Sequence, residues 1–164
     1  MSKSQVLHLV KTEDECATQQ DLYSHACGDI QNALRHGRFF EALALSENVI
    51  SHGLAARKAF IKYGDATRSQ DSGIGALVFE LAGIKQNGVR ESDSDALALY
   101  LQIMGWCEDK NALLHALLNV DETGRNWEAR LGDLKCAAVS GSALAEQFVF
   151  LSAQLNLKQS KLPS

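Results

Sequence analysis

The chain has 164 residues, a length that suits one domain with a sizeable hydrophobic core. Hydrophobic residues make up 46% and charged residues 22% of the sequence, a balance that excludes a disordered chain. The 16 Lys and Arg against 20 Asp and Glu give a formal charge of −4, which argues against nonspecific binding to nucleic acid or to anionic membranes.

The predicted elements are helices, because the single proline, Pro163, stands almost at the end of the chain. Residues 14–33 carry apolar and small side chains at steps of three and four, which predicts a first helix. His36 and Gly37 are typical of its end. An all-β fold is therefore excluded.

The second and third predicted helices follow directly. Phe39–Tyr63 shows the most regular helical spacing of apolar residues in the chain, and Gly64 is the expected end of this helix. Residues 75–85 predict a short buried helix that ends before Asn87 and Gly88.

The second half of the chain predicts two longer helices. Asp93 stands in a run of N-cap candidates, 92–94, and helical spacing continues from there to Leu118. The last helix is predicted for residues 126–157, with a bend or a new cap at 140–142.

These elements predict one all-α domain over residues 1–164. Each helix has one apolar stripe that it cannot bury alone, which favours a bundle of four to five amphipathic helices. Residues 1–13 and 158–164 are polar or weakly patterned and are predicted to be flexible ends.

Signals for secretion, membrane insertion and metal binding are weak. The apolar patch 6–10 is too short for a signal peptide, and we expect a cytoplasmic protein that does not span a membrane. The spacing of Cys16, Cys27, Cys107 and Cys136 fits neither a zinc site nor a disulfide framework, so buried reduced thiols and no metal or cofactor are expected.

The apolar pattern is interrupted at one position of the fourth helix. Heptad steps from Leu97 lead to Met104, Asn111 and Leu118, which places an amide on the inward stripe if the helix is continuous. His115 lies four residues after Asn111, on the same face.

Two interpretations of this interruption stay open. In the first, His115 exchanges protons with a reacting hydroxyl group while the neighbouring Lys110 neutralises phosphate charge. In the second, the helix breaks at 108–110 with Asp109 as an N-cap, and His115 is only a half-buried imidazole.

The segment WCEDKNALLHAL, residues 106–117, resembles the signature helix of HEPN-domain proteins. In that family an arginine, usually followed by a polar residue, precedes a histidine by four to six intervening positions. Here Lys110 stands at the arginine position, Asn111 follows it, and His115 comes after four intervening residues. Lysine is a flexible point charge, whereas arginine is a planar fork that binds phosphate through two nitrogens.

The resemblance implies a HEPN-like helical bundle that forms homodimers. Many members are metal-independent ribonucleases of toxin, defence or RNA-processing systems, and others are non-catalytic binding modules. It assigns proton transfer to His115, phosphate stabilisation to Lys110 and orientation to Asn111. Glu47, on a helix similar to the family's second helix, and Asp109 are candidate supporting residues.

Two functions are therefore expected from the sequence. One is an HEPN-like protein that binds or cleaves RNA, as in bacterial defence or toxin–antitoxin systems, and Arg57, Lys58 and Lys62 would then flank the RNA. The other is a non-catalytic interaction protein, such as an antitoxin, immunity or regulatory subunit, in which these three cations form a solvated helix face.

Overall fold

The computed structural model describes residues 21–64, 73–84, 90–118 and 127–160. Five helices and no strand occur in these ranges, which confirms the all-α fold. The helices are α1 (21–35), α2 (Phe39–Tyr63), α3 (Ile74–Leu81), α4 (Ser94–Leu118) and α5 (Trp127–Ser160).

Several helix ends lie where the sequence predicts them. Gly37, between α1 and α2, has a φ of 67°, and Gly64 ends α2 with a φ of 69° while its N–H donates to the carbonyl oxygen of Phe60. These positive φ values favour glycine because it lacks a Cβ. Asp93 caps α4, since its Oδ1 accepts hydrogen bonds from the backbone N–H groups of Asp95 and Ala96, both at 3.1 Å.

The long helices alternate in direction. Glu47 on α2 contacts Lys110 near the end of α4, and Arg57, later on α2, contacts Glu91 just before α4, so these helices are antiparallel. α5 is antiparallel to α4 as well. Trp106 of α4 donates a hydrogen bond to the carbonyl oxygen of Ala137, whereas Tyr100, six residues earlier on α4, packs against Phe148, eleven residues later on α5. As a result, α2 and α5 run in the same direction.

Glycine permits two close contacts of α5. Gly53 on α2 faces Phe148, whose ring occupies the space that a Cβ at Gly53 would need. Gly141 on α5 faces Trp106 of α4 in the same way. The core of the bundle lies between these helices, and it includes Ile50, Leu54, Ile103, Leu134 and Phe148.

Two predicted interruptions are wrong. α4 continues through Asp109 to Leu118, and α5 continues through residues 140–142. Glycine at 141 serves the approach of Trp106 instead of a bend. The neighbouring Ser142 is buried and accepts a hydrogen bond of 3.0 Å from Gln31 of α1, which fastens α1 to α5.

Some predicted boundaries shift, and others cannot be compared. α3 begins at Ile74 and ends at Leu81, four residues before the predicted end, and Asn87 and Gly88 lie outside the described residues. α5 is helical to Ser160, three residues beyond the predicted helix end at 157, and the flexible end at 158–164 stays a prediction. The predicted end at 1–13 also lies outside the described residues.

The cysteines differ in environment. Cys107 is buried, Cys27 is half-buried and Cys136 is exposed, so the prediction of buried thiols is correct for Cys107 and wrong for Cys136. Burial raises the pKa of the Cys107 thiol to about 11, with the carboxylates of Glu47 and Glu108 adding to the rise and Lys110 opposing it. Cys16 lies outside the described residues.

α5 contains a segment, Glu128–Leu155, that is long and apolar enough to cross a membrane. No such segment is predicted from the sequence. A core helix of a bundle meets the same criteria, and 44% of the most apolar window is buried against the rest of the protein. Cellular location therefore stays a prediction.

Candidate functional site

The candidate site centres on an ion pair between α4 and α2. Lys110 is only 4% exposed, and its Nζ lies 2.6 Å from Oε2 of Glu47. The same Nζ stands 5.7 Å from the centre of the Trp106 ring, within the range of a cation–π contact. Lys110 and Glu47 are thus brought together, with the cation inside the bundle and the half-exposed carboxylate at its surface.

Lys110 belongs to the inward stripe of α4. The buried residues of this helix, which share one face, are Ala96, Leu99, Tyr100, Ile103, Trp106, Cys107 and Lys110. A buried lysine at the end of an apolar stripe requires a partner, because an isolated ammonium group loses its hydration there. Glu47 is that partner.

Asn111 and His115 are both exposed, so the prediction that Asn111 lies on the inward stripe is wrong. The stripe traced from Leu97 is a second one, on the outer side of α4, where Met104 is half-buried and Leu118 is 79% exposed. Asn111 and His115 do share a face of this uninterrupted helix, one turn apart.

Asp109 has no capping role, because it lies in the interior of α4. It is exposed and lines a groove between α4 and α5. Residues two apart on a helix point to different sides, so Asp109 is not grouped with Asn111.

The three cations of α2 have separate surroundings. Arg57 is paired with Glu91, and Lys58 Nζ lies 2.6 Å from Glu80 of α3. Lys62 is exposed, with its Nζ 4.9 Å from the centre of the Tyr63 ring. Two of these three charges are therefore used within the protein.

A second polar cluster, which the sequence analysis missed, surrounds Glu91. This carboxylate is 1% exposed and binds Arg57 through two parallel hydrogen bonds, Nε to Oε2 at 2.7 Å and Nη2 to Oε1 at 2.9 Å. The backbone N–H groups of Ser92 and Asp93 and the hydroxyl of Tyr100 also donate to it. The cluster joins α2 to the start of α4.

The pKa values in this cluster reflect burial and pairing together. Burial alone would raise the pKa of Glu91, but the hydrogen bonds from Arg57 and from the Asp93 and Ser92 amides bring it below its ordinary value. Burial raises the pKa of Tyr100 strongly, and the negative charge of Glu91 adds to that rise. The charged pair and the neutral phenol are therefore the stable forms.

The sequence holds only a faint signal for this cluster. Glu91 directly precedes the N-cap residues of α4, and its partner Arg57 lies 34 residues earlier. No local spacing relates residues so far apart in the chain.

In the described part of the chain, no group of three or more His, Cys, Asp or Glu is placed to hold a metal ion. Comparison of the chain with family models, with curated proteins and with solved structures gave no match. The HEPN-like identity is thus a proposal that depends on the residues themselves.

Proposed function

We propose that this chain is a non-catalytic helical interaction protein, a regulatory, antitoxin or immunity type of subunit, whose HEPN-like motif has lost its catalytic use. It acts through protein contacts and forms homodimers. Its bundle provides the scaffold on which the contact surfaces are placed.

The observation that carries this proposal is the state of Lys110. A ribonuclease of the expected type would direct this cation at a phosphate group of the RNA. Here the ammonium group is 4% exposed and already paired with Glu47 at 2.6 Å. Binding a phosphate would require breaking that pair and exposing a side chain that belongs to the core stripe.

Exposed apolar side chains support a role in protein contacts. Phe40 at the start of α2 is 53% exposed and Leu118 at the end of α4 is 79% exposed. The antiparallel arrangement of α2 and α4 places both at the same end of the bundle. Both side chains are available for contact with a protein partner, and the net charge of −4 gives little attraction to RNA.

A metal-independent ribonuclease is the second candidate, and one observation favours it. Asn111 and His115 are both exposed on the same face of α4, so an amide and an imidazole are accessible together. Imidazole titrates near neutral pH and is well suited to proton transfer.

One assay separates the two candidates. The purified full chain is incubated with total RNA in a chelator, beside the variants His115→Ala and His52→Ala. His52 is an exposed histidine of α2 and serves as the matched control. We expect all three proteins to leave the RNA intact. Cleavage that is retained in His52→Ala and lost in His115→Ala would refute the proposal and establish the ribonuclease.

A further inference from the structure

The outer face of α5, on the side away from the core, is uncharged and exposed over about five turns. Its residues recur at steps of three and four, and they are Gly132, Cys136, Val139, Ala143, Gln147 and Phe150. Val139 is 49% and Phe150 is 66% exposed. This face contributes to the limited burial of α5, since only 44% of its most apolar window is buried. A helix that is apolar on both its inner and its outer side is typically covered on both, so the outer face calls for a cover from outside the chain.

Within the described part of the chain, nothing requires glycine at position 132. Gly132 lies in the interior of α5, where glycine destabilises a helix relative to alanine. Its φ is not positive, and no atom lies within 4 Å of the place that a Cβ would take. Gly53 and Gly141, by contrast, each have an aromatic ring at that place. The space beside Gly132 is therefore open to a side chain from another molecule.

Antiparallel pairing of two α5 helices matches large side chains with small ones. When the two-fold axis passes at the level of position 141, Phe150 of one copy lies opposite Gly132 of the other, because each is nine residues from that level. Val139 and Ala143, each two residues from it, face each other in the same way. The outer face of α5 is thus complementary to itself, which a two-fold dimer interface requires.

The charges beside this face fit the same register. Lys135 and Glu146 are exposed on one flank of it, eleven residues or about three turns apart. A two-fold axis keeps like flanks together, so Lys135 of each copy comes beside Glu146 of the other, one residue from direct opposition. Lys135 has no ionic partner among the described residues. Glu146 accepts a hydrogen bond of 2.6 Å from Gln31, a neutral amide that leaves the charge of the carboxylate in place.

We propose that the outer face of α5 is a homodimer interface, in which a second copy of this chain packs its own α5 in the antiparallel direction. The inference rests on the proposed homodimer and assigns its surface. Burial of Val139 and Phe150 supplies affinity, and the two reciprocal pairs of Lys135 with Glu146 fix the register. A lipid surface would offer a partner to neither of these charges, which favours the second copy.

The first test fills the space beside Gly132. Sedimentation equilibrium of the full chain in reducing buffer is expected to show a dimer and gives its dissociation constant. In Gly132→Leu this constant should rise at least about tenfold, because the new side chain takes the place of the second copy's Phe150. Gly105→Leu on α4 is the matched control, since a Cβ there also meets no atom within 4 Å, and its constant should stay within about twofold. Circular dichroism verifies that both variants are folded.

The second test reverses the charges on the flank. Lys135→Glu and Glu146→Lys each bring like charges together, and each alone should weaken the dimer about tenfold. Mixed in equal amounts, the two variants restore both pairs across the axis and should form heterodimers with an affinity within about threefold of that of the unmodified chain. Neither variant changes its own fold on mixing, so this recovery can come only from contact between the copies.

The outcomes are distinct. A monomer, a dimer that Gly132→Leu weakens no more than Gly105→Leu does, or charge variants that do not recover on mixing would each overturn the inference. A monomer that floats with phosphatidylcholine vesicles would overturn it in favour of a lipid surface. A dimer that none of the α5 substitutions weakens would place the interface elsewhere and leave the proposed homodimer standing. RNA cleavage that depends on His115 would instead refute the proposed function and leave the sedimentation results valid.

Discussion

Two ion pairs join α2 to the α4 region, and they differ in how completely they are enclosed. Glu91 is 1% exposed and accepts hydrogen bonds from Arg57, from two backbone amides and from Tyr100. Glu47 has a side chain that is 46% exposed and contacts Lys110 from the surface. The first pair is enclosed on both sides, whereas the second is enclosed only at its cation. The stability of the fold should therefore depend more on the first pair than on the second. Substitutions on the surface around the second pair should accordingly be tolerated more readily.

The largest expected effect is that of Glu91→Ala. The substitution leaves Arg57 buried without its carboxylate, and we expect a loss of about 3–5 kcal/mol in the free energy of unfolding. Urea denaturation measures it. The matched control is Glu41→Ala, which removes a carboxylate from a surface pair with Arg38 and should cost less than about 1 kcal/mol. Equal losses in the two variants would contradict the comparison.

The second-largest effect is expected from acid, which should weaken the enclosed pair of Arg57 and Glu91. The pKa of Glu91 is lowered in the folded protein, so the unfolded chain takes up this proton at a higher pH than the folded one does. The stabilisation is complete above the ordinary value of 4.5 and is lost as pH falls through and below it. In Glu91→Gln, the free energy of unfolding measured from pH 7 to pH 3 should depend less steeply on pH than in the unmodified protein. A curve parallel to that of the unmodified protein would show that Glu91 does not drive the acid response.

Glu47→Ala should have a smaller effect. It leaves the buried Lys110 ammonium without its partner, while water still reaches the Glu47 side of the pair, so we expect a loss of about 2 kcal/mol, between the losses for a surface pair and for an enclosed pair. Combining it with Lys110→Met, which keeps an apolar stem and removes the charge, should restore most of that loss. The same denaturation series measures both variants. If the double variant is no more stable than Glu47→Ala, the two charges do not interact.

The smallest effect is expected for His115→Ala. The imidazole is exposed, and we expect the free energy of unfolding to change by less than about 0.5 kcal/mol. Denaturation of this variant beside His52→Ala makes the comparison. A loss above about 1 kcal/mol in His115→Ala alone would mean that this residue holds the helix end in place instead of facing a ligand.

Local sequence patterns predicted the bounds of a helix well where capping residues or glycines stand at its ends. α2 has the predicted bounds because its apolar residues repeat regularly and glycines with positive φ stand on either side of it. The start of α4 was predicted for a similar reason, since the Asp93 carboxylate binds the first free N–H groups of the helix. Both signals act within a few residues.

The errors arose where the deciding contact is distant in the sequence. The pairing of Lys110 was not predicted, because its partner Glu47 lies on another helix and gives no local sign of it. The outer stripe through Met104 was mistaken for the inner one because leucine occurs on both sides of α4. The bend at 140–142 was predicted from small residues, whereas Gly141 makes room for Trp106.

The contact between Gly53 and Phe148 also limits motion. Because the ring fills the volume beside the α2 backbone, α5 can neither slide along its axis nor rotate about it without withdrawing that ring. The azimuth of the α5 side chains around Phe148 is thereby set relative to α2. Any shift of α5 against α2 at this point must therefore begin with a change in the Phe148 rotamer.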